Sequence, residues 1–397
     1  MWTNYPTLEV MDDALRALEV IVFGQHCWNS LGQIRSFGEL GMPCHVIWIR
    51  HDMFTPRDSR YITSFRSFTS FEYGFAHLLS TYDDPGKKYL ISTDSDRVVS
   101  WLDQHYDELK DRFYFFNAGS QGRLSSFMAK DQQIQLAEQF GLRVPQTRIV
   151  KKGELPQGLD YPVFTKSLNS FSFGWKSNAF ICRNEGELLE AYEQIKDENI
   201  LLQEFIEKDN EVAVQGLSYH DGQDVYMPIQ GEYLRLEEGR FGTWKRNETY
   251  RLGEDLRAKI QHIMRHIGFN GVFEIEFLRD RNGQLYFLEI NFRHTQYNHA
   301  LTQMGVNFGY LFAVSQVIGK IDVDNIVIKS PSVTMNDYVE YDMYIKTGRM
   351  SLLKWIGDIR KTDSFYCYDK NDKRYLFRMI GYLTRDKLRL IMKKLLK

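Results

Sequence analysis

Residues 273–293 read Phe273-Glu-Ile-Glu276-Phe-Leu-Arg-Asp280-Arg-Asn-Gly-Gln284-Leu-Tyr-Phe-Leu-Glu289-Ile-Asn291-Phe-Arg293. Apolar and polar side chains alternate on both sides of Asn282-Gly283, two residues that tolerate positive φ. The pattern predicts two strands joined by a two-residue type I′ turn. Pairing Arg281 with Gln284 then sets the register: Glu276 lies across from Glu289, and Glu274 across from Asn291. Phe273, Ile275, Phe277, Leu288, Ile290 and Phe292 point the other way, into a core. Like charges directly opposite in a sheet, with Cβ atoms about 5 Å apart, are destabilising. A hard divalent cation with oxygen ligands would neutralise them. Glu276, Glu289 and Asn291 offer carboxylate and amide oxygens on one face, and magnesium suits such a set if phosphates supply the remaining ligands. The competing reading is a solvated outer face of an edge hairpin, although such faces usually mix charge signs.

A chain of 397 residues with 43% hydrophobic content is long enough to bury a sizeable core in two or three domains. No run of eighteen apolar residues occurs, and Met1-Trp-Thr-Asn-Tyr5 lacks a basic region followed by an apolar one. The expectation is a cytoplasmic protein with no membrane span and no secretory signal. Cys27, Cys44, Cys182 and Cys367 are widely spaced, which speaks against a disulfide framework or a structural zinc site.

Charge is distributed unevenly. From Arg349 to Lys397 there are 14 Lys and Arg against 5 Asp, a net of +9, so the preceding residues carry −11. Leu388, Ile391, Met392, Leu395 and Leu396 follow helical spacing among cations. Two readings of this end remain open: a helix docked on its own protein, or a peripheral anchor on anionic lipid through 385–397.

Outward from the hairpin, Glu19–Gly24 reads as a buried strand, Asn29–Gly32 as a turn with a helix following through Glu39, and Cys44–Trp48 as the next strand. Lys88–Ser92, a helical crossover over Asp94–Leu109 and Phe113–Phe116 extend a small parallel sheet. A helix over Lys130–Phe140 is closed by Gly141. Strands follow at Tyr161–Lys166, Asn178–Cys182, Ile200–Ile206, Glu211–Leu217 and Val225–Glu232, with helices over Glu185–Ile195 and Leu256–Ile267. The fold class is therefore mixed α/β and α+β.

The order Lys130, Lys166, a Ser/Gly-containing loop, an acidic residue ending an apolar strand and then the carboxylate hairpin resembles the ATP-grasp superfamily of carboxylate-amine ligases, most closely the D-aspartate ligase type. The resemblance runs from about Lys130 to Ala313. It is most specific at Glu276 with Glu289-Ile-Asn291-Phe-Arg293, followed by Gly305-Val-Asn307. The loop Asn169–Lys176 departs from it, with one glycine where many members have several. The resemblance implies an N-terminal α/β domain over 1–117 and an ATP-grasp domain over 118–325, with a lid at about 145–210 and a metal-binding part at about 211–325. A basic C-terminal extension over 326–397 would follow.

It also implies roles. Lys130 and Lys166 would bind ATP phosphates, Lys176 would clamp them from the loop, and Gln203, Glu204, Phe205 and Ile206 would meet the adenine. Glu211 would take the ribose hydroxyls. Glu276, Glu289 and Asn291 would hold two magnesium ions, with manganese a substitute, and Arg293 would stabilise charge on the transferring phosphate or acyl phosphate. The alternative for Arg293 is an ion pair with Glu274. His294 or His299 could accept the amine proton, and Asn29–Arg35, as a helix start, could bind an anionic substrate on free N–H groups. The implied enzyme is an ATP-dependent ligase joining a small carboxylate to an amine, as in adding an amino acid to a cell-envelope precursor. A ligase amidating a sugar acid of a surface polysaccharide and a non-catalytic ATP-binding scaffold are the alternatives. A homodimer is compatible with the sequence, and no nucleic-acid partner is expected.

Overall fold

The computed structural model describes residues 12–50, 54–167, 179–236 and 242–381. Lys176 with its loop and the terminal stripe over 385–397 lie outside the described residues. The chain builds three sheets. In the first, β1 (Val20–Gly24), β2 (Cys44–Ile49), β3 (Ile62–Phe68), β4 (Tyr89–Thr93) and β5 (Phe113–Tyr114) pair in parallel in the order β3-β2-β1-β4-β5. Helices α1 (Cys27–Gly38), α2 (Phe71–Thr81) and α3 (Asp96–Gln104) cover it. Alternate residues of β1 serve opposite faces: Val20 and Val22 pack with Leu31 and Ile34 of α1, while Ile21 and Phe23 pack with Phe75 and Leu78 of α2. Each such fully buried side chain contributes about 1.5–3 kcal/mol relative to exposure.

After α4 (Lys130–Gln139) comes a four-stranded antiparallel sheet in the order β6-β9-β7-β8. It comprises β6 (Thr147–Lys151), β7 (Val163–Ser167), β8 (Ile181–Cys182) and β9 (Asn199–Glu204), covered by α5 (Glu185–Gln194). Its small core is separate, built from Val150, Val163, Leu188, Ile200 and Leu202. The third sheet has seven strands in the order β14-β13-β10-β11-β12-β15-β16. These are β10 (Lys208–Tyr219), β11 (Asp224–Arg235), β12 (Trp244–Thr249), β13 (Gly271–Asp280), β14 (Leu285–Asn291), β15 (Ser332–Met335) and β16 (Ser364–Phe365). Helices α6 (Glu254–Ile267), α7 (Asn298–Met304) and α8 (Phe308–Val317) complete this part. Ile263 and Ile267 of α6, Phe312 of α8 and Val214 and Ile275 of the sheet join one core with α1, so the first and third sheets share an interior.

The hairpin has the expected pairing at its far end and a different turn. Glu274 opposes Asn291 and Glu276 opposes Glu289, but beyond a bulge Phe277 opposes Phe287. Gly283 takes φ 79° while Asn282 stays at negative φ; the Gly283 N–H donates to the Asp280 carbonyl and the Asp280 N–H to that of Gln284. This is a three-residue loop ending in a left-handed glycine, not a type I′ turn. The side chain of Asp280 selects it by accepting from the N–H groups of Asn282 and Gln284 at 2.9 and 2.8 Å. The loop shifts the register by one residue, and the bulge shifts it back. Phe287 therefore takes the core place expected of Leu288.

Three further expectations are corrected. Asn29–Gly32 is not a turn: it lies inside α1, where small and polar residues pack closely, Gly32 against the side chain of Asn298. Because the helix begins at Cys27, the N–H groups from Ser30 to Arg35 are spent inside it, the first of them on the His26 carbonyl at 2.9 Å, and do not form the anion site expected at Asn29–Arg35. Second, β3 and α2 had no counterpart in the pattern, since Ile-Thr-Ser-Phe-Arg-Ser-Phe is a half-exposed edge strand whose apolar residues fall every third position. Third, the basic C-terminal region is no appendage as far as it is described. β15 and β16 belong to the seven-stranded sheet. Arg35, 1% exposed, donates to Asp372 at 3.1 Å and to the carbonyls of Tyr366 and Cys367.

Candidate active site

The carboxylates of the hairpin meet at the end of the seven-stranded sheet. Burial, then Glu289, Glu274 and Glu211, push the Glu276 carboxyl well above the usual carboxylate range, with Lys245 acting against them. Asn291 Nδ2 donates to Glu276 Oε1 at 3.1 Å. Glu289 and Asn291, with Ile290 and Phe292 of the same stretch, line a narrow pocket whose other walls are Asp96, Met128 and Gln133. Two half-buried carboxylates and a buried amide, with the repulsion between the carboxylates only partly offset by Lys245, are a donor set suited to a hard divalent cation.

Across from them stands Lys166 on β7. Burial, then the neighbouring Lys130, lower its ammonium to about 8, while Glu289, Glu276 and Glu211 pull the other way. Those five groups thus share one electrostatic neighbourhood although they come from α4, β7, β10, β13 and β14. Lys130 is the first residue of α4, and the helix is fixed to the hairpin by Gln133, whose amide donates to the Ile290 carbonyl and accepts from the Ile290 N–H, each at 2.9 Å. Glu211 is the fourth residue of β10, where the sequence pattern has it opening the strand, and it pairs with Lys208 at the strand's start.

Arg293 follows the hairpin and pairs with Asp96 at the start of α3, Nε to Oδ1 2.8 Å. Burial alone would lower its pKa, but Asp96, Glu289 and Asp94 hold it above the ordinary arginine range, so the guanidinium stays charged. The expected alternative, a pair with Glu274, is not what forms. Glu274 instead accepts from Gln215 and from Thr295 at 3.2 Å, with Lys245 Nζ at 4.0 Å.

The segment expected to meet adenine is partly engaged in its own sheet. Gln203 donates to Thr147 Oγ1 at 2.9 Å, and Glu204 accepts from the Gln146 N–H at 3.1 Å. The N–H groups of Glu204 and Phe205 donate to the carbonyls of Gln146 and Pro162. Ile206 follows, 9% exposed.

Neither histidine is placed as a base for an incoming amine. His294 is 3% exposed, its ring nitrogens have no hydrogen-bond partner among the described residues, and burial takes its pKa down to about 3. A ring so hard to protonate cannot hold a proton near neutrality. His299 Nε2 lies 3.1 Å from Glu39 Oε1 and shares a cluster with Asp369, all ligand atoms within 4.8 Å. That cluster is internally satisfied, since Gln303 and the Asn371 N–H donate to Asp369.

Two groups had no sequence signal. Gln133 looks like any helical glutamine until its partner strand is known. Lys245, 1% exposed, sits 3.8 Å from the centroid of the Tyr297 ring, and burial lowers its pKa against Glu274, Glu276 and Glu211. Its alternation within Trp-Lys-Arg-Asn-Glu-Thr is the only trace of its inward direction.

Comparison with known proteins agrees with this geometry. Residues 125–318 match the family described as "Carbamoyl-phosphate synthase L chain, ATP binding domain". A 264-residue stretch is 25% identical to D-aspartate ligase of Enterococcus faecium, covering 60% of this chain and 61% of that protein. Another of 165 residues is 28% identical to the 2-oxoglutarate carboxylase small subunit of Hydrogenobacter thermophilus, covering 37% and 32%. The chain thus spans about a third and about six-tenths of these relatives. Among solved structures it resembles N5-carboxyaminoimidazole synthetase from Staphylococcus aureus, with TM-score 0.61, 17% identity and coverage of 80% and 82%. It also resembles L-amino acid ligase from Bacillus licheniformis, with TM-score 0.59, 14% identity and coverage of 78% and 76%. With its three sheets, paired lysines and carboxylate hairpin, the chain has the ATP-grasp fold, and residues 125–318 are similar to the ATP-binding domain of that superfamily.

Proposed function

We propose that the protein is an ATP-dependent carboxylate-amine ligase. The γ-phosphate of ATP passes to a substrate carboxylate, giving an acyl phosphate and ADP; an amine then attacks the acyl carbon, and the amide forms as phosphate leaves. The observation that carries this reading is the convergence of Lys130, Lys166, Glu211, Glu276 and Glu289 on one cleft, with Arg293 held charged beside Glu289. Phosphoryl transfer depends mainly on positioning and charge neutralisation, which such an array supplies.

Glu276, Glu289 and Asn291 would hold magnesium, or manganese in its place. When bound, the metal screens the phosphate oxygens from the incoming acid. Lys166 and Lys130 bind the phosphates, and an arriving tetraanion reverses the repulsion between the two ammonium groups. Arg293, oriented by Asp96, stabilises charge on the transferring group or the acyl phosphate. Lys176 would close the phosphates from the loop. Glu211 and the Gln203–Ile206 segment take the nucleoside, where the base would use Ile206 and exposed edges rather than the N–H groups of Glu204 and Phe205. In this reading 1–117 contributes the wall containing Asp96, 118–325 grips ATP, and 326–397 is a third part whose strands β15 and β16 close the sheet.

The favoured acid is an amino acid and the favoured amine belongs to a cell-envelope precursor, a choice supported by the likeness to D-aspartate ligase. No described helix is long and apolar enough to cross a membrane, and we place the reaction in the cytoplasm. The test supplies ATP, magnesium, hydroxylamine and a panel of L- and D-amino acids and uronic acids. An acid-dependent hydroxamate with stoichiometric ADP supports the ligase; nucleotide binding with no acid-dependent ADP across the panel would identify a scaffold instead.

A further inference from the structure

The described end of the chain carries a charge arrangement unrelated to the ATP cleft. Residues 373–381 are helical. One face is anchored: Tyr375 and Met379 are buried, and Cys27 Sγ lies 3.2 Å from Tyr375 Oη. The other face presents Arg374, Phe377 and Arg378, at i, i+3 and i+4, with Phe377 69% exposed and Ile380 47% exposed. Arg374 and Arg378 border an open pocket of about 370 Å³ whose other walls are Arg57 and Asp58.

The acids and bases of this region are sorted by depth. Asp369 and Asp372 are buried, the first bonded by Gln303 and the second by Arg35, Ser59 and the Arg60 N–H. Lys370, Lys373, Arg374 and Arg378 are all exposed, so every solvent-facing charge between 370 and 381 is positive. In the pocket only Arg378 has a counter-ion, Asp58 at 3.8 Å. The side chains of Arg57 and Arg374 have no ion pair or hydrogen bond among the described residues. Three guanidinium groups on one carboxylate leave an excess of positive charge, and guanidinium matches the planar, multidentate geometry of phosphate oxygens.

We propose that Arg57, Arg374 and Arg378 form a phosphate-binding pocket that docks the protein on the headgroups of an anionic lipid surface, with Phe377 and Ile380 entering the interface. The apolar pair is what favours lipid over a soluble phosphate compound. A site for a free anion gains nothing from a phenyl ring left 69% exposed beside it, whereas a headgroup layer receives aromatic and aliphatic side chains next to basic ones. The proposal does not depend on the ligase reading.

The experiment is co-sedimentation of the full chain with vesicles of pure phosphatidylcholine and of phosphatidylcholine containing phosphatidylglycerol, over a salt series. Binding is expected only to the anionic vesicles and should weaken with salt. Arg57→Ala/Arg374→Ala, which breaks no ion pair, and Arg374→Glu/Arg378→Glu should each lower the partition coefficient, the charge reversal by about tenfold or more. Phe377→Ser should lower it at unchanged charge. Circular dichroism and melting of each variant establish that it is folded, and Lys387→Glu/Arg389→Glu measures separately what the following segment contributes. Wild-type sedimentation by the folded Arg57→Ala/Arg374→Ala variant would overturn the proposal. So would calorimetric binding of inorganic phosphate that these substitutions remove, if anionic vesicles did not bind: the pocket would then serve a soluble anion.

Discussion

Replacing Lys166 by Met should make the protein more stable at neutral pH and unable to hold ATP well. Lys166 is kept protonated at pH 7 in a place that disfavours it, since burial and Lys130 bring its pKa to about 8 from an ordinary 10.5. That displacement corresponds to about 3 kcal/mol of differential interaction between the charged and neutral forms. Relaxation and water entry reduce what a substitution recovers, so the expected gain is about 1–2 kcal/mol, with methionine preserving the aliphatic stem. The sign follows from proton counts. A lysine with a depressed folded-state pKa costs stability while both states are protonated, below about 8. Between that value and 10.5 the unfolded chain binds more protons than the folded one, so wild-type stability recovers as pH rises. Urea unfolding at pH 7 and pH 10 should therefore show the advantage of Lys166→Met shrinking by most of its size. ATP should raise the melting temperature of the wild type and have little effect on the variant. A variant less stable than wild type at pH 7, or an advantage equal at both pH values, would refute the placement of Lys166 beside Lys130 in a desolvated cleft.

The other expectations concern the same cleft. Glu289→Gln should keep the fold while ADP release falls about 100-fold or more, because one negative charge of the proposed metal site is lost; near-normal release would remove the hairpin from the metal site. Arg293→Ala should lower turnover and leave ATP affinity close to wild type, so a loss of affinity matching that of Lys166→Ala would contradict its role in transfer. Gln133→Ala strands the N–H and carbonyl of Ile290 and should cost about 1–3 kcal/mol, with hydrogen exchange at the Ile290 amide speeding up if the helix-to-hairpin clamp is real. His294→Phe should retain activity and match or exceed wild-type stability, since a buried ring packed on Phe116 whose nitrogens have no hydrogen-bond partner among the described residues gives way to an apolar one; a collapse in turnover would restore this histidine to the chemistry.

How much of this was legible beforehand differs by element. The opposition of Glu276 to Glu289 was readable because strand alternation and a Gly-containing turn constrain one another locally. It survived an incorrect turn only because the three-residue loop and the bulge shift the register in opposite directions. Long-range partners were not readable. Gln133 reaches a strand 157 positions away, Arg293 finds Asp96 across 197, and no periodicity carries that information. β3 escaped notice because an exposed edge need not alternate, and the C-terminal strands because Ser332–Met335 and Ser364–Phe365 are too short to show a period. The histidines illustrate the converse error: polar residues next to a reactive centre were credited with chemistry, while the fold had turned one into the core and paired the other with Glu39.

The ion pair between Arg35 and Asp372 makes the first sheet's helix depend on a residue synthesised 337 positions later. Until that stretch leaves the ribosome, α1 can bury its apolar face only by also burying a guanidinium with no counter-ion, and breaking such a pair costs about 3–5 kcal/mol. The amino-terminal layer is therefore unlike a module that completes itself during translation. Its final packing waits for the chain to return, and a fragment ending near residue 325 should populate an open first layer rather than a native one.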